Sequence, residues 1–181
     1  TDYVHLLTEI EKRAYADRAQ YLGDPDYWNN PRSMFLSKNY AKKRSSNISM
    51  KKFTPSKHVF SGTFNENENT ETTHYSVVDK DGNAVAITTT LNTEFGNKHV
   101  VEGAGFFLNN EMDDFSIKPG TANNWGLVGD KANAIAPDKR PLSSMTPTIL
   151  MYNGIPIMTI GSPGGSKIIT TVLQCILNVF I

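Results

Sequence analysis

The chain has 181 residues, of which 39% are hydrophobic and 20% are charged, so it can bury a core as a globular unit. Eighteen Lys and Arg residues balance eighteen Asp and Glu residues, which gives no net charge and indicates neither a nucleic-acid nor a membrane-surface partner. A basic tract at 38–57 is interpreted as a solvated loop. No apolar run is long enough to span a bilayer.

The cysteine and histidine residues indicate whether the chain can form a disulfide or bind a metal. The single cysteine, Cys175, excludes an internal disulfide, and its apolar helical surroundings predict a buried, inert thiol. The four histidines are scattered, and no Cys/His spacing is typical of a metal site. We therefore expect neither a metal nor another cofactor.

The first part of the chain predicts one long helix and a connecting segment. Apolar residues recur with helical spacing from Tyr3 to Tyr21, and Gly23 with Asp24-Pro25 ends the pattern. Residues 24–71 are rich in Pro, Ser, Asn and Lys, with a short helix expected near 37–43. The end of this segment, 65–70, has no apolar member and predicts an exposed connection.

A β-hairpin is predicted directly after this polar connection. β-Branched and aromatic residues flank the turn-forming group at 80–83, which favours two antiparallel strands. With a three-residue loop at 81–83, Thr72 would lie opposite Asn92 and share a sheet face with Thr90 and Asn92. With a two-residue loop, Thr72 would lie opposite Leu91.

Thr72 opens the first of these strands and is a candidate nucleophile. A hydroxyl needs an adjacent base near neutral pH, and cleavage of the Glu71–Thr72 bond would supply an α-amino group with a pKa of roughly 8 on the same residue. The competing interpretation is a threonine cluster selected only for its β propensity. The hairpin alone favours this second interpretation.

Later segments predict a second hairpin and a buried helix. Strands are expected at 148–151 and 155–160 around Asn153-Gly154, with a short strand at 106–108 and a long loop at 118–138. The glycine-rich turn at 161–165 leads into an apolar helix at 168–181. It lacks the spacing of a phosphate loop, so an oxyanion hole or a simple chain reversal remains open. Strands followed by a buried helix predict a layered α/β fold.

Four motifs in fixed order carry a family resemblance. The block from Thr72 to Gly96 resembles the processing-site signature of γ-glutamyltranspeptidases, which are N-terminal-nucleophile hydrolases. The stretches Leu108–Ser116, Lys139–Thr148 and Gly161–Ser166 are similar to the later motifs of that family. Four ordered motifs are far more specific than one, and they reverse the preference for a threonine cluster.

The resemblance implies a fold, a division of the chain and a set of roles. The fold would be a partial αββα sandwich, with 1–71 ending a large subunit and its connecting segment and 72–181 beginning a truncated small catalytic subunit. Thr72 would be the nucleophile, supported by Thr90, and the Gly164 and Gly165 N–H groups would form the oxyanion hole. The substrate contacts implied are Asn92, Glu111 and Asp114 for the α-amino group, and Ser143 and Ser144 for the α-carboxylate. Trp125 would lie in a lid over the site, where tyrosine is expected in bacterial enzymes.

The resulting hypothesis is γ-glutamyl transfer or hydrolysis after autocatalytic cleavage of Glu71–Thr72. Donors would be glutathione and related compounds, and acceptors would be water, amino acids or peptides. The other partners implied are the remaining parts of its own subunits, and the location implied is periplasmic or secreted. Two alternatives stay open: a related acylase for cephalosporin side chains or poly-γ-glutamate, and an unprocessed, non-catalytic fragment with little or no activity.

Overall fold

A computed structural model describes residues 2–59, 72–123 and 126–181. The chain divides into two compact units, one made of 1–66 and 112–142 and the other of 67–111 and 143–181. The predicted connection at 65–70 and two predicted site residues, Glu71 and Trp125, lie outside the described residues. The helices are α1 (Asp2–Tyr21), α2 (Arg32–Phe35), α3 (Lys38–Ser45) and α4 (Ile168–Phe180), and the strands are β1 (Thr72–Val78), β2 (Ala84–Thr90), β3 (Thr148–Tyr152) and β4 (Ile155–Ile160).

The first unit is organised around α1, whose buried side differs from the one that the apolar pattern predicts. The helix ends close to the predicted Gly23, but Tyr3 and Ile10 are 49% and 44% exposed. Its buried residues are Glu9, Arg13 and Ala16. A buried ion pair therefore replaces the expected apolar stripe, because its two charges satisfy one another across one helical turn.

The short helix predicted near 37–43 is confirmed as α3. Ser37 is its N-cap, and the Ser37 hydroxyl accepts a hydrogen bond from the Tyr40 N–H at 3.1 Å. Such a cap satisfies one of the backbone donors that a helix start leaves without an intrahelical partner. The connecting segment thus carries its own local start signal.

A second charged contact joins the turn after α1 to the segment before Pro141. Arg140 donates from its Nε and Nη2 atoms to the Asp24 carboxylate at 3.0 and 2.6 Å, and its backbone N–H donates to the same carboxylate at 2.8 Å. Arg140 also donates to Asp26. These hydrogen bonds from Arg140 hold the pKa of Asp24 well below its usual range.

The second unit contains two antiparallel hairpins, and the register of the first differs from both predicted alternatives. Thr72 pairs with Thr90 and Val78 pairs with Ala84. The loop has three residues, as one alternative assumed, but it comprises 80–82 because Gly82 takes the positive φ of 84°. The Asp79 carboxylate accepts hydrogen bonds from the Asn83 N–H and side-chain amide, which keeps Asn83 outside the loop.

The second hairpin, β3–β4, forms around Asn153-Gly154 as predicted, with positive φ values of 49° and 82° at these residues. The strand predicted at 106–108 is wrong, because that stretch holds only an isolated bridge between Val100 and Phe107. The loop interpretation of 118–138 is confirmed in its described part, where one 3-10 turn, Lys131–Asn133, is the sole helical element.

Helix α4 follows the glycine-rich turn as predicted, but it is not buried throughout. Only Ile168 and Val172 are buried, whereas Val179 and Phe180 are 62% and 53% exposed. The prediction of a buried Cys175 is also wrong, because this residue is exposed. Cys175 follows Ile168 by seven residues and Val172 by three, so it lies on the same face of the helix, but the described residues leave this part of the face uncovered.

Candidate active site

The candidate nucleophile and its predicted support face each other across the first hairpin. Thr72 is the first residue of β1, Thr90 is the last of β2, and the two are register partners with half-buried side chains. The Asp79 N–H donates to the Asn83 carbonyl, so alternation along the ladder makes Thr72 and Thr90 a non-hydrogen-bonded pair, the kind in which side chains approach most closely.

A cavity of about 430 Å³ opens beside this threonine pair. Its volume falls within the range of small-molecule sites. It is lined by Thr72, Thr73, Thr89, Thr90, Leu91, Thr93 and Glu94. The lining is rich in hydroxyl groups, which can donate and accept hydrogen bonds, so the cavity suits a polar ligand.

Asn92 reaches the site by a route that differs from the prediction. It lies beyond the end of β2 with a φ of 75°, so it does not pair with Thr72. Its backbone N–H donates to the Thr90 hydroxyl at 3.0 Å, and its side-chain amide donates to the Asn110 carbonyl at 3.2 Å. Asn92 is 4% exposed, so its side chain is held in place beside the threonine pair.

Glu111 and Asp114 begin and end one 3-10 turn. Glu111 is half-buried, and its backbone N–H donates to the Asn109 side chain at 3.0 Å. Asp114 belongs to the first unit, where its carbonyl accepts a hydrogen bond from the Asn133 amide at 2.7 Å. In that unit, burial lowers the pKa of Arg18 while the nearby charge of Asp114 opposes the shift.

Ser143 and Ser144 follow Pro141 in an irregular stretch that begins the second segment of the second unit. The Ser143 hydroxyl is exposed and accepts from the Met145 N–H at 3.1 Å. The Ser144 carbonyl accepts from the Thr146 hydroxyl at 3.4 Å. These local bonds order the pair, and the exposed Ser143 hydroxyl can also meet a ligand.

The glycine-rich turn connects β4 to α4 in a conformation that requires glycine. Gly164 and Gly165 have φ values of 130° and 52°, and a side chain at Gly164 would be strained although open space surrounds it. Gly165 begins a 3-10 turn that continues into α4. Successive N–H groups at such a helix entry can face an anion.

His74 was not predicted as a site residue, although it shares the Thr72 face. Its Nδ1 lies 2.8 Å from the Thr88 hydroxyl and its Nε2 lies 2.9 Å from the Ser76 hydroxyl. The signal that could have revealed it is strand alternation, because residues two positions apart on β1 point to the same side.

Within the described ranges, no three His, Cys, Asp or Glu residues form a group that could hold a metal ion. In the same ranges, none of the helices combines the length and apolar character needed to cross a membrane. The structure brings together Thr72, Thr90 and Asn92, and places Glu111, Ser143, Ser144, Gly164 and Gly165 in the same unit. Asp114 lies in the other unit.

Solved structures with similar folds are bacterial γ-glutamyltranspeptidases. A mutant form of the Helicobacter pylori protein is 62% identical, covers 60% of this chain and 58% of its own, and has a TM-score of 0.58. The Pseudomonas nitroreducens protein complexed with L-DON is 58% identical, covers 60% of this chain and 56% of its own, with the same TM-score. Helices and small antiparallel sheets thus form part of an N-terminal-nucleophile hydrolase fold, and the predicted α/β class is confirmed.

The family model for gamma-glutamyltranspeptidase matches residues 1–181. The glutathione hydrolase proenzyme of Escherichia coli K12 is 54% identical in sequence over an alignment that covers 98% of the chain. That of Bacillus subtilis 168 is 41% identical over an alignment that covers 95% of the chain. The chain belongs to the γ-glutamyltranspeptidase family, which confirms the resemblance. It spans 30% of the length of each of these two relatives.

Proposed function

We propose that the complete protein containing this chain is a γ-glutamyl transferase and hydrolase whose nucleophile is Thr72. The observation that carries the proposal is the register pair Thr72–Thr90 beside a hydroxyl-lined cavity. A second hydroxyl across the hairpin can hydrogen-bond to the nucleophilic oxygen and orient it. Membership of the family supplies the reaction class.

The proposed chemistry uses Thr72 twice. Its hydroxyl first attacks the Glu71 carbonyl and the Glu71–Thr72 C–N bond breaks, which moves the acyl group to the Thr72 oxygen as an ester and frees the α-amino group. Water then hydrolyses this ester, which splits the chain and restores the hydroxyl. That amine then takes the proton from the same hydroxyl as the hydroxyl oxygen attacks a γ-glutamyl amide, and it passes the proton to the amine that leaves when the amide C–N bond breaks. The γ-glutamyl ester on Thr72 is then attacked by water or by an acceptor amine, which restores the hydroxyl. The Gly164 and Gly165 N–H groups are proposed to stabilise the oxyanion that develops in each step.

The proposed substrate contacts follow from charge and hydrogen-bonding capacity. An α-ammonium group suits the Glu111 and Asp114 carboxylates and the Asn92 amide oxygen, and an α-carboxylate suits the Ser143 and Ser144 hydroxyls. Trp125 is proposed to act in a lid. A periplasmic or secreted location and pairing with the remaining subunit segments complete the proposal, in which 1–71 and 72–181 belong to different subunits.

The test compares the complete protein with its Thr72→Ala and Tyr75→Phe variants. Intact-mass measurement should show cleavage at Glu71–Thr72 in the wild type and in Tyr75→Phe, whose exposed residue lies on the opposite sheet face and outside the cavity lining, but none in Thr72→Ala. Turnover of a γ-glutamyl anilide should likewise be retained in the wild type and the control variant and lost in Thr72→Ala. Cleavage that persists in Thr72→Ala would refute the assignment, and faster turnover of a cephalosporin side chain or poly-γ-glutamate would favour the acylase alternative.

The fragment alternative is decided on the 181-residue chain itself. If the 181-residue chain stays uncut and has no γ-glutamyl anilide activity while the complete protein is cleaved and active, cleavage and activity require segments outside the 181 residues. A cleaved and active 181-residue chain would exclude that alternative. The two measurements are the same as above, so the comparison needs no additional assay.

A further inference from the structure

His74 lies on the same face of the first hairpin as Thr72, two residues further along β1. Both of its ring nitrogens are within hydrogen-bond distance of a hydroxyl, those of Thr88 and Ser76. A hydroxyl can donate or accept, so these two partners hold the ring in one orientation with either tautomer. The imidazole is therefore a fixed part of this face.

The fixed ring lies directly against Gly161, the first residue after β4. A Cβ atom placed on Gly161 would overlap the Nδ1, Cε1 and Cγ atoms of His74, well within the 3.0 Å that real Cβ atoms respect. The φ of Gly161 lies outside the left-handed region, so its backbone conformation does not require glycine. Gly161 is thus required by the space that the His74 ring occupies.

This reason differs from the reason for the next glycine in the turn. Gly164 has a φ of 130° and open space around its missing side chain, so its conformation alone requires glycine. The turn therefore holds one glycine selected by contact and another selected by φ. Of these two glycines, Gly161 is the one whose missing side chain faces a residue of the strand that carries Thr72.

A second contact joins β4 to the same hairpin just before Gly161. The Thr159 hydroxyl lies 3.3 Å from the Ser76 hydroxyl and donates to the Val85 carbonyl at 3.2 Å. Two residues later the chain meets the His74 ring. The end of β4 is thus fixed at two points. Only Ser162 and Pro163 separate Gly161 from Gly164, and the proline ring restricts φ, so the position of Gly161 also determines where Gly164 lies.

We propose that His74 is a positioning residue for the γ-glutamyl reaction, because its ring on Gly161 sets the distance between the Thr72 strand and the turn that carries Gly164 and Gly165. The inference rests on the proposed function for its kinetic consequence. Displacing catalytic groups by about 1 Å lowers rates by roughly a hundredfold. The ring acts by packing and takes no proton from the substrate.

The test is a double-variant cycle on the complete protein, comprising the wild type, His74→Ala, Gly161→Ala and the double variant. Rates are normalised to the amount of Thr72-starting subunit found by mass spectrometry. We expect kcat to fall roughly a hundredfold in Gly161→Ala and about tenfold in His74→Ala, with KM changed less than about twofold. In the double variant the methyl group occupies the vacated space, so kcat should be no lower than in His74→Ala.

The matched control is Gly154→Ala at the other end of β4. Its φ is 82° and no atom lies near its missing side chain, so this variant should lose stability but keep the wild-type kcat. An unchanged kcat in His74→Ala would overturn the proposal. So would a double variant whose loss is the product of the two single losses.

Failure of the proposed function has a separate signature. If the wild-type protein shows no γ-glutamyl turnover, the proposed function is wrong, and the contact is tested by thermal unfolding of the same four proteins in a Thr72→Ala background. Gly161→Ala should then lower Tm with His74 present and lower it less with His74→Ala. Equal shifts in the two backgrounds would show that the ring and Gly161 are not coupled, which overturns the inference itself.

Discussion

The two units of the chain differ in the charged groups that they bury and in the apolar surface that they leave exposed. The first unit buries charged groups, with Glu9, Arg13 and Asp24 each less than 5% exposed. The second unit instead leaves an apolar sheet face exposed, on which Tyr75 and Val77 are 55% and 58% accessible. The opposite face of that hairpin carries the threonine pair and His74. The first unit thus combines an apolar core with buried ion pairs, whereas the second unit concentrates the candidate catalytic groups.

The exposed sheet face bears on the partners of the second unit. An antiparallel sheet commonly has one solvated face, but that face is normally polar. A contiguous apolar patch is typical of a surface that packs against another element. The chain spans 30% of the length of its Escherichia coli relative, and its described residues leave this face uncovered.

The largest expected change in the free energy of unfolding comes from Glu9→Ala in the first unit. The Glu9 carboxylate pairs with Arg13 at 2.8 Å, and both side chains are buried. Removing one partner leaves an uncompensated buried charge, which typically costs about 3–5 kcal/mol. Urea unfolding of the complete protein should show that loss. The kcat of the folded fraction should stay at the wild-type value because the change lies in the unit that lacks Thr72.

The matched control for Glu9→Ala is Glu9→Leu combined with Arg13→Leu. Replacing both charges with apolar side chains leaves no unpaired charge at Arg13, and Lys12, which also pairs with Glu9, is 21% exposed and keeps its hydrogen bond to the Thr54 carbonyl, so the double variant should be more stable than Glu9→Ala alone. A double variant that is less stable than the single one would contradict this explanation of the first unit. A fall in kcat of the folded fraction in Glu9→Ala would show that the ion pair of the first unit also affects the candidate catalytic groups of the second.

A smaller effect is expected from pH, through Asp24. Hydrogen bonds from Arg140 lower the pKa of the folded-state carboxyl, whereas the unfolded value is about 3.9. As the pH falls, the unfolded chain therefore takes up the proton first. The stabilisation is present above about pH 4 and is lost progressively as the pH falls towards the folded-state pKa.

The pH prediction is measured as Tm between pH 6 and pH 2 for the wild type and Asp24→Asn. The Tm of the wild type should decrease more steeply with falling pH than that of the variant. Asp26→Asn removes an exposed carboxylate that contacts the same Arg140 and is the matched control, with a slope close to that of the wild type. Identical slopes for all three proteins would contradict the assigned role of Asp24.

The two units also differ in how well the sequence predicts them. Hairpins and helix starts were predictable because their signals are local, as in Asn153-Gly154 and the Ser37 cap. The buried side of α1 was not, since an apolar pattern cannot show that Glu9 and Arg13 satisfy each other or that Thr54 also donates to Glu9. Long-range partners decide which charges can be buried.

In the candidate active site, too, local sequence signals predicted the elements but not the contacts between residues. The presence of Thr72 and Thr90 in one hairpin was predictable, but their direct pairing was not, because it depends on whether Gly82 or Asn83 takes the positive φ. The contact of His74 with Gly161 joins residues 87 positions apart in the chain and leaves no periodic signal. Family motifs identified the candidate site residues, whereas the structure was needed to find what supports them.

The smallest expected effect tests whether the hairpin register depends on Gly82. Its φ is 84° and no atom lies within 4 Å of the position that a Cβ would take, so alanine there meets conformational strain and no clash. Gly82→Ala should therefore cost about 1 kcal/mol in urea unfolding. The turn lies at the far end of the hairpin from Thr72, so cleavage and kcat should remain unchanged. A shifted register would turn the side chains of one strand to the other face, so a loss of Glu71–Thr72 cleavage in this variant would show that Gly82 itself sets the Thr72–Thr90 pairing.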